Sequence, residues 1–152
     1  GYIMSRDKQS VLLVNRSKRA DDIHYGKYNG LGGKLEPGED IVSGFVREVR
    51  EEAGIEPVDI IWKGTINWPG FGGVGEDWFG FIFRVDSYEG EPLKENHEGF
   101  LEWVLISDFA RANFGESDRY WLAMSFGESD KVFHGEAPFD DGKMISWNCV
   151  KI

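Results

Sequence analysis

Cysteine is nearly absent from this chain of 152 residues: Cys149 stands alone, which excludes an internal disulfide and leaves no cysteine set for a zinc cluster. Positive charge is also short. Seventeen Lys and Arg against 27 Asp and Glu give a formal charge of -10 and a pI near 4.7, whereas a binder of nucleic-acid polymers needs a basic footprint for the phosphate backbone. A small anion chelated with a metal ion remains an acceptable partner. No apolar run approaches the roughly 18 residues of a membrane span, and no signal-peptide pattern is present. With the single cysteine, this points to a reducing cytoplasm and no membrane partner. The first residue is Gly1 rather than Met, as in a trimmed or tagged chain. Repeats, low-complexity tracts and linkers are missing, so the chain reads as one domain, 1–152, able to bury about 68–70% of its unfolded surface. A monomer or homodimer is expected.

What the chain does have is concentrated between Gly33 and Ile55. Asp40 opens an amphipathic run in which Ile41, Val42, Phe45, Val46, Val49 and Ala53 recur at helical spacing, and Gly54 supplies the left-handed stop. On that helix Glu48, Glu51 and Glu52 fall within an arc of roughly 100° beside the apolar stripe. They form one wall of carboxylates. Like charges this close repel, by several kcal/mol per pair at about 4 Å in an effective dielectric near 20, so divalent cations are the expected neutraliser. Ligands that are all oxygen favour Mg2+, with Mn2+ as a substitute, over zinc.

A run of helical charges is ordinarily a solvated face; the loop ahead of the helix argues otherwise. Asn29-Gly30-Leu31-Gly32-Gly33-Lys34 is too rich in glycine for a regular strand, and Glu36-Pro37-Gly38-Glu39 is turn chemistry leading into the helix. Such a loop lets backbone groups approach a ligand closely. It is not a Walker loop, because Lys34 is followed by Leu35 rather than Ser or Thr.

Gly33, Glu39, Arg47, Glu48, Val49, Glu51, Glu52, Gly54 and Ile55 stand in the order and spacing of a known box, and here the chain resembles the Nudix hydrolases, with no position missing. Seven specified residues at 5–8% abundance would coincide by chance at about one start site in 10^8. The resemblance implies that a main-chain carbonyl near Gly32 joins Glu48, Glu51 and Glu52 as a metal ligand, that Arg47 orients the carboxylates, and that Glu39 braces the loop. Glu98, just before the strand-like Glu102-Trp103-Val104, is similar in position to a glutamate that completes the metal site in the MutT-type branch. The implied reaction is hydrolysis of a nucleoside triphosphate to the monophosphate and pyrophosphate, with Glu51 or Glu98 taking the proton. Lys34 is a candidate phosphate contact, or an ordinary exposed lysine.

The remaining segments supply a sheet and a second helix. Gly1 to Met4 and Val11 to Val14 read as a hairpin, Arg16 to Asp22 as a charged solvent loop, and Val58 to Thr65 as a strand. Trp68 to Asp77 reads as a glycine-rich hairpin tip before a strand from Trp78 to Val85, where alternation assigns Phe81, Phe83 and Val85 to the core. Trp68 and Trp78 flank that tip and could stack a base. Phe100 to Val104 is a strand, Ser107-Asp108-Phe109 a helix-cap signal, and Glu116 to Phe126 a second helix. Lys131 to Phe139 and Lys143 to Ile152 flank a turn at Asp140-Asp141-Gly142 as a terminal hairpin. The expected fold is a single mixed α/β domain of the Nudix type, its central β-sheet sandwiched between the box helix (box 33–55) and the helix near Tyr120.

Val132-Phe133-His134-Gly135 and the run from Asn29 add similarity to oxidised-purine triphosphatases. That similarity implies a purine such as 8-oxo-dGTP read by Asn29, Asp118, Trp78 and Phe114, the Asn29 amide offering both donors and an acceptor. The chain departs from those relatives near the second helix: Ser117 separates Glu116 from Asp118 where they carry adjacent acids, and Phe114 stands where they have tryptophan. Another nucleotide, a pterin triphosphate or a sugar nucleotide is the alternative substrate. A nucleotide-binding regulator without activity is the alternative class, although such modules can lose Glu51 or Glu52 and this chain keeps both.

Overall fold

A computed structural model describes all residues except Ile23, Val74, Glu116 and Asp130. The chain divides into two compact units, one of Gly1–Ile61 and Arg84–Gly115, the other of Trp62–Phe83 and Glu116–Ile152.

In the first unit, β1 (Tyr2–Met4) and β2 (Ser10–Asn15) form the expected antiparallel hairpin, with Ile3 opposite Leu12. Val11 to Val14 are at most 1% exposed, because β2 is covered on both faces and paired on both edges. Strand β6 (Phe100–Leu105) pairs antiparallel along all of β2, while β1 and the short β3 (Tyr28–Asn29) share its other edge. β1 also pairs in parallel with the end of β5 (Glu76–Glu89), Tyr2 opposite Arg84. The sheet is therefore mixed. Arg84 and Asp86 pair at 2.6 Å, which lets Arg84 be buried between Phe83 and Val85. Ile82 and Arg84 are buried as well as Phe83 and Val85, whereas Phe81 is only half-buried, so two-sided burial replaces the expected alternation.

Helix α1 (Ile41–Ala53) begins and ends where local chemistry dictates. The Asp40 carboxylate accepts the Val42 and Ser43 N–H groups at 2.9 and 3.1 Å, a cap that stabilises a helix by about 1 kcal/mol. Gly54, at φ 69°, returns its N–H to the Arg50 carbonyl. Only glycine takes that turn without a steric penalty. Phe45, Val49 and Ala53 face the core, but Val42, expected among them, is 43% exposed; the stripe is narrower than the sequence pattern suggested.

The second unit contains parts of β4 (Glu56–Gly73) and β5, which lie side by side. β7 (Phe133–Glu136) runs parallel to β4, and β10 (Asn148–Lys151) antiparallel to β7. β8 (Phe139–Asp140) and β9 (Lys143–Met144) continue the terminal hairpin as a separate ribbon around its Asp141-Gly142 turn. The strands reach Gly73 and resume at Glu76, so the expected hairpin is present, with residues 68–73 and 76–77 belonging to its strands rather than to its tip. Its aromatics hold the ladder together: Phe71 meets Trp78 and Phe139 edge-on at 5.3 and 5.0 Å, and Trp68 meets Trp121 at 5.8 Å. Helix α2 (Arg119–Phe126) buries Trp121, Leu122 and Ser125, while the expected start at Glu116 lies outside the described residues. Ser107 and Asp108 belong to a single 3-10 turn, 106–108, rather than capping a helix. Among the described residues no helix is long and apolar enough to cross a membrane.

Candidate active site

The box helix and the glycine loop close on each other within the first unit. Glu52 is 5% exposed, and its Oε2 accepts the Gly32 N–H at 2.8 Å. Burial pushes its pKa up to about 7; the Gly32 hydrogen bond opposes the rise, and the negative charges of Glu98 and Glu48 add to it. Glu48, one turn back, is half-buried with the Gly33 backbone pressed against it, so that a Cβ on Gly33 would fall onto its carboxylate. Glu51, on the same side of the helix, is open to water, its side chain 61% exposed. The expected wall is thus two acids turned inward and one facing water.

Arg47 ties the helix to the loop. Its Nε and Nη2 form a fork on the two oxygens of Glu39, each at 2.9 Å, while Nη2 also reaches the Lys34 carbonyl at 3.2 Å. Nη1 donates to Glu48 at 2.8 Å and lies 3.6 Å from Glu51. Such a planar fork fixes orientation as well as charge. Glu39 is held below the usual carboxylate range, first by Arg47 and then by the Glu36 N–H. The Lys34 residue itself is exposed on the loop.

Glu98 approaches from the segment before β6. Its Oε2 accepts Arg16 Nη1 at 2.8 Å, and Arg16 Nε donates to Asp22 at 2.6 Å. The side chains of all three are less than a fifth exposed, so the ends of the Arg16–Asp22 loop turn inward, while Lys18 to Asp21 are exposed as its charges suggested. Sequence reasoning passed over this pair because its partners lie 6 and 82 residues away, with no spacing to advertise them. The donors suit a hard divalent ion: every candidate ligand is oxygen, one is a carboxylate whose pKa is raised first by burial and then by its acidic neighbours, and a glycine loop lies against the carboxylates. Among the described residues no three His, Cys, Asp or Glu side chains are yet gathered tightly enough to cage an ion. Arginines hold Glu48 and Glu98 instead.

Asn29, on β3, has a buried Oδ1 with no hydrogen-bond partner. Its neighbour Tyr28 donates to Glu102 at 2.6 Å, and Asn15 Nδ2 donates to the other Glu102 oxygen at 3.1 Å. The Tyr28–Glu102 bond, reinforced by burial, pushes the Tyr28 hydroxyl up to about 12. Phe114 is 4% exposed, packed against Tyr28 at 6.2 Å and Phe109 at 5.1 Å. The Tyr28, Glu102 and Asn15 network carried no sequence signal either. Trp78 and Asp118 belong to the second unit, Trp78 edge-on to Phe71 and Asp118 at the start of α2, where its side chain makes no capping bond.

Residues 1–124 match the family model described as the NUDIX domain. The chain is 32% identical over 114 residues to the uncharacterized Nudix hydrolase YvcI of Bacillus subtilis, covering 74% of this chain and 68% of that one. It is 34% identical over 121 residues to the oxidized purine nucleoside triphosphate hydrolase of Mus musculus, covering 79% and 74%. The crystal structure of the MutT protein from Bacillus halodurans has a similar fold, with a TM-score of 0.83 at 27% identity, over 97% of this chain and 93% of that one.

Proposed function

This chain belongs to the Nudix hydrolase family, and we propose that it is a Mg2+-dependent nucleoside triphosphate pyrophosphohydrolase that clears oxidised purine nucleotides such as 8-oxo-dGTP from the cytoplasmic nucleotide pool. Residues 1–152 act as one catalytic domain in this reading. The observation that carries the reaction is Glu52, an acid buried under a glycine loop with two further acids raising its pKa. An arrangement so costly to ionise is what a site for a divalent cation requires.

Glu48, Glu51, Glu52, Glu98 and the Gly32 carbonyl would hold the ion, which when bound supplies neutralisation of charge on the bridging oxygens and a more acidic water. Arg47 keeps Glu48 aimed and fastens the 34–39 loop to the helix. Glu51 or Glu98 accepts the proton; Glu51 is the more open to water, and Glu98 is already engaged by Arg16. Lys34 contacts phosphate from the exposed loop. The base reading is supported by the mouse relative and by the unpartnered Asn29 Oδ1, an acceptor awaiting a donor.

The experiment is a panel of nucleotides with Mg2+, including 8-oxo-dGTP, dGTP, a pterin triphosphate and a sugar nucleotide, scored by product identity in 18O-labelled water. The expected result is highest efficiency on 8-oxo-dGTP, with label in pyrophosphate from attack at the β-phosphorus. Label in the monophosphate would mean attack at the α-phosphorus and overturn the MutT-type reading. No turnover of any compound would leave a nucleotide-binding module.

A further inference from the structure

The last carbonyls of α1 are not left to water. Ala53 C=O accepts the Leu93 N–H at 2.8 Å, and Glu52 C=O accepts Asn96 Nδ2 at 3.3 Å. A helix end leaves four carbonyls without partners, so the segment before β6 serves as the C-terminal cap of the box helix.

Asn96 faces the opposite way as well. Its Oδ1 accepts the N–H of Glu98 at 2.9 Å and of Gly99 at 3.1 Å, folding the loop into an Asx-type turn. Its own N–H reaches the Gly99 carbonyl at 2.9 Å, and its carbonyl accepts Lys18 Nζ at 2.7 Å. Every polar group of Asn96 is therefore used. A single amide touches the backbone of Glu52 at one end and that of Glu98 at the other, while Arg16 fixes the Glu98 carboxylate independently.

We infer that Asn96 is a positioning residue that couples Glu98 to Glu52, so that an acid from the helix and an acid from the loop are presented to a divalent ion as one unit. This deepens the proposed metal site and rests on it. Asn96 touches neither ion nor substrate; it acts through the backbone of the two acids. Partners of this kind around a metal ligand change affinity by about 10–100-fold when removed.

The test is Mn2+ binding to the full chain, followed by the electron paramagnetic resonance of the free ion, with no nucleotide present. Asn96→Ala should weaken binding by about tenfold. Asn96→Ser should recover part of the loss, because its hydroxyl can still accept the Glu98 N–H; it also serves where the alanine variant folds poorly. In a Glu98→Gln background Asn96→Ala should have no further effect, since the residue it positions has lost its charge. An equal loss in both backgrounds, or wild-type affinity in Asn96→Ala, overturns the coupling alone. If Glu98→Gln by itself binds Mn2+ like the wild type, Glu98 is not a ligand, and the metal assignment falls together with the coupling.

Discussion

The Gly32 N–H donates to the buried carboxylate of Glu52 at 2.8 Å across 20 residues of sequence. One hydrogen bond thus joins the glycine loop to the last turn of the box helix, and together with the nearby Gly1 amine it offsets part of what burial, Glu98 and Glu48 impose on this acid.

Glu52→Gln should therefore abolish most turnover yet stabilise the metal-free protein. The folded-state pKa is raised to about 7 from 4.5, so the native state holds the Glu52 proton more tightly than the unfolded chain. Its contribution to stability is present below the unfolded pKa and is lost as pH rises through the folded one. In chelator, the stability of Glu52→Gln relative to wild type should grow between pH 4.5 and 7, by about 3 kcal/mol at most; other titrating groups largely cancel in the difference. Urea denaturation at several pH values measures it. A flat difference, or near wild-type kcat, would remove Glu52 from the role given to it.

Arg47→Lys keeps the charge and loses the fork. Lysine cannot satisfy both Glu39 oxygens, Glu48 and the Lys34 carbonyl from one plane. We expect kcat to fall roughly 10–100-fold, with faster amide exchange across residues 34–39. Slow exchange there despite lost activity would show that the arginine orients the acids without bracing the loop.

Gly33→Ala separates folding from the site. The φ of Gly33 is not in the left-handed region, so alanine fits the backbone, but its Cβ lands on the Glu48 carboxylate. A flexible side-chain end can move aside at little cost. The Tm should shift by no more than about 4 °C, equivalent to about 1 kcal/mol for a chain of this size, while kcat/KM drops tenfold or more because Glu48 has been pushed off its position. A large fall in Tm with intact activity would contradict this division.

What could be read in the sequence depended on distance along the chain. Asp40 and Gly54 mark the ends of α1 through bonds to residues two to four positions away, and such local chemistry survives folding unchanged. The helical wheel likewise placed Glu48, Glu51 and Glu52 together, but could not say that Glu52 would be buried and Glu51 exposed, since that depends on where the loop lands. Arg16 with Glu98, and Tyr28 with Glu102, meet across 82 and 74 residues. No periodicity encodes those meetings. The hairpin tip between Trp68 and Asp77 is shorter than its glycines and Pro69 suggested, because aromatic contacts formed only in the folded state keep residues 68–73 and 76–77 in the strands.

Asn29 is the residue on which base choice turns. A buried amide oxygen without a partner costs about 1–3 kcal/mol, a penalty that a ligand donor would relieve. The N7–H that distinguishes 8-oxoguanine from guanine is such a donor, whereas guanine offers an acceptor at that atom. A site built on this difference should reject the wrong base by leaving its own polar group unpaired. Asp118, at the start of α2, is the second candidate reader. Asn29→Ala and Asp118→Ala should each reduce the ratio of kcat/KM for 8-oxo-dGTP over dGTP by tenfold or more, about 1.4 kcal/mol upward, and Asn29→Ala should do so without loss of Tm, because no bond within the protein is broken at Oδ1. Equal wild-type efficiencies on the two nucleotides, or a ratio that neither substitution moves, would eliminate the oxidised-purine assignment while leaving the hydrolase intact.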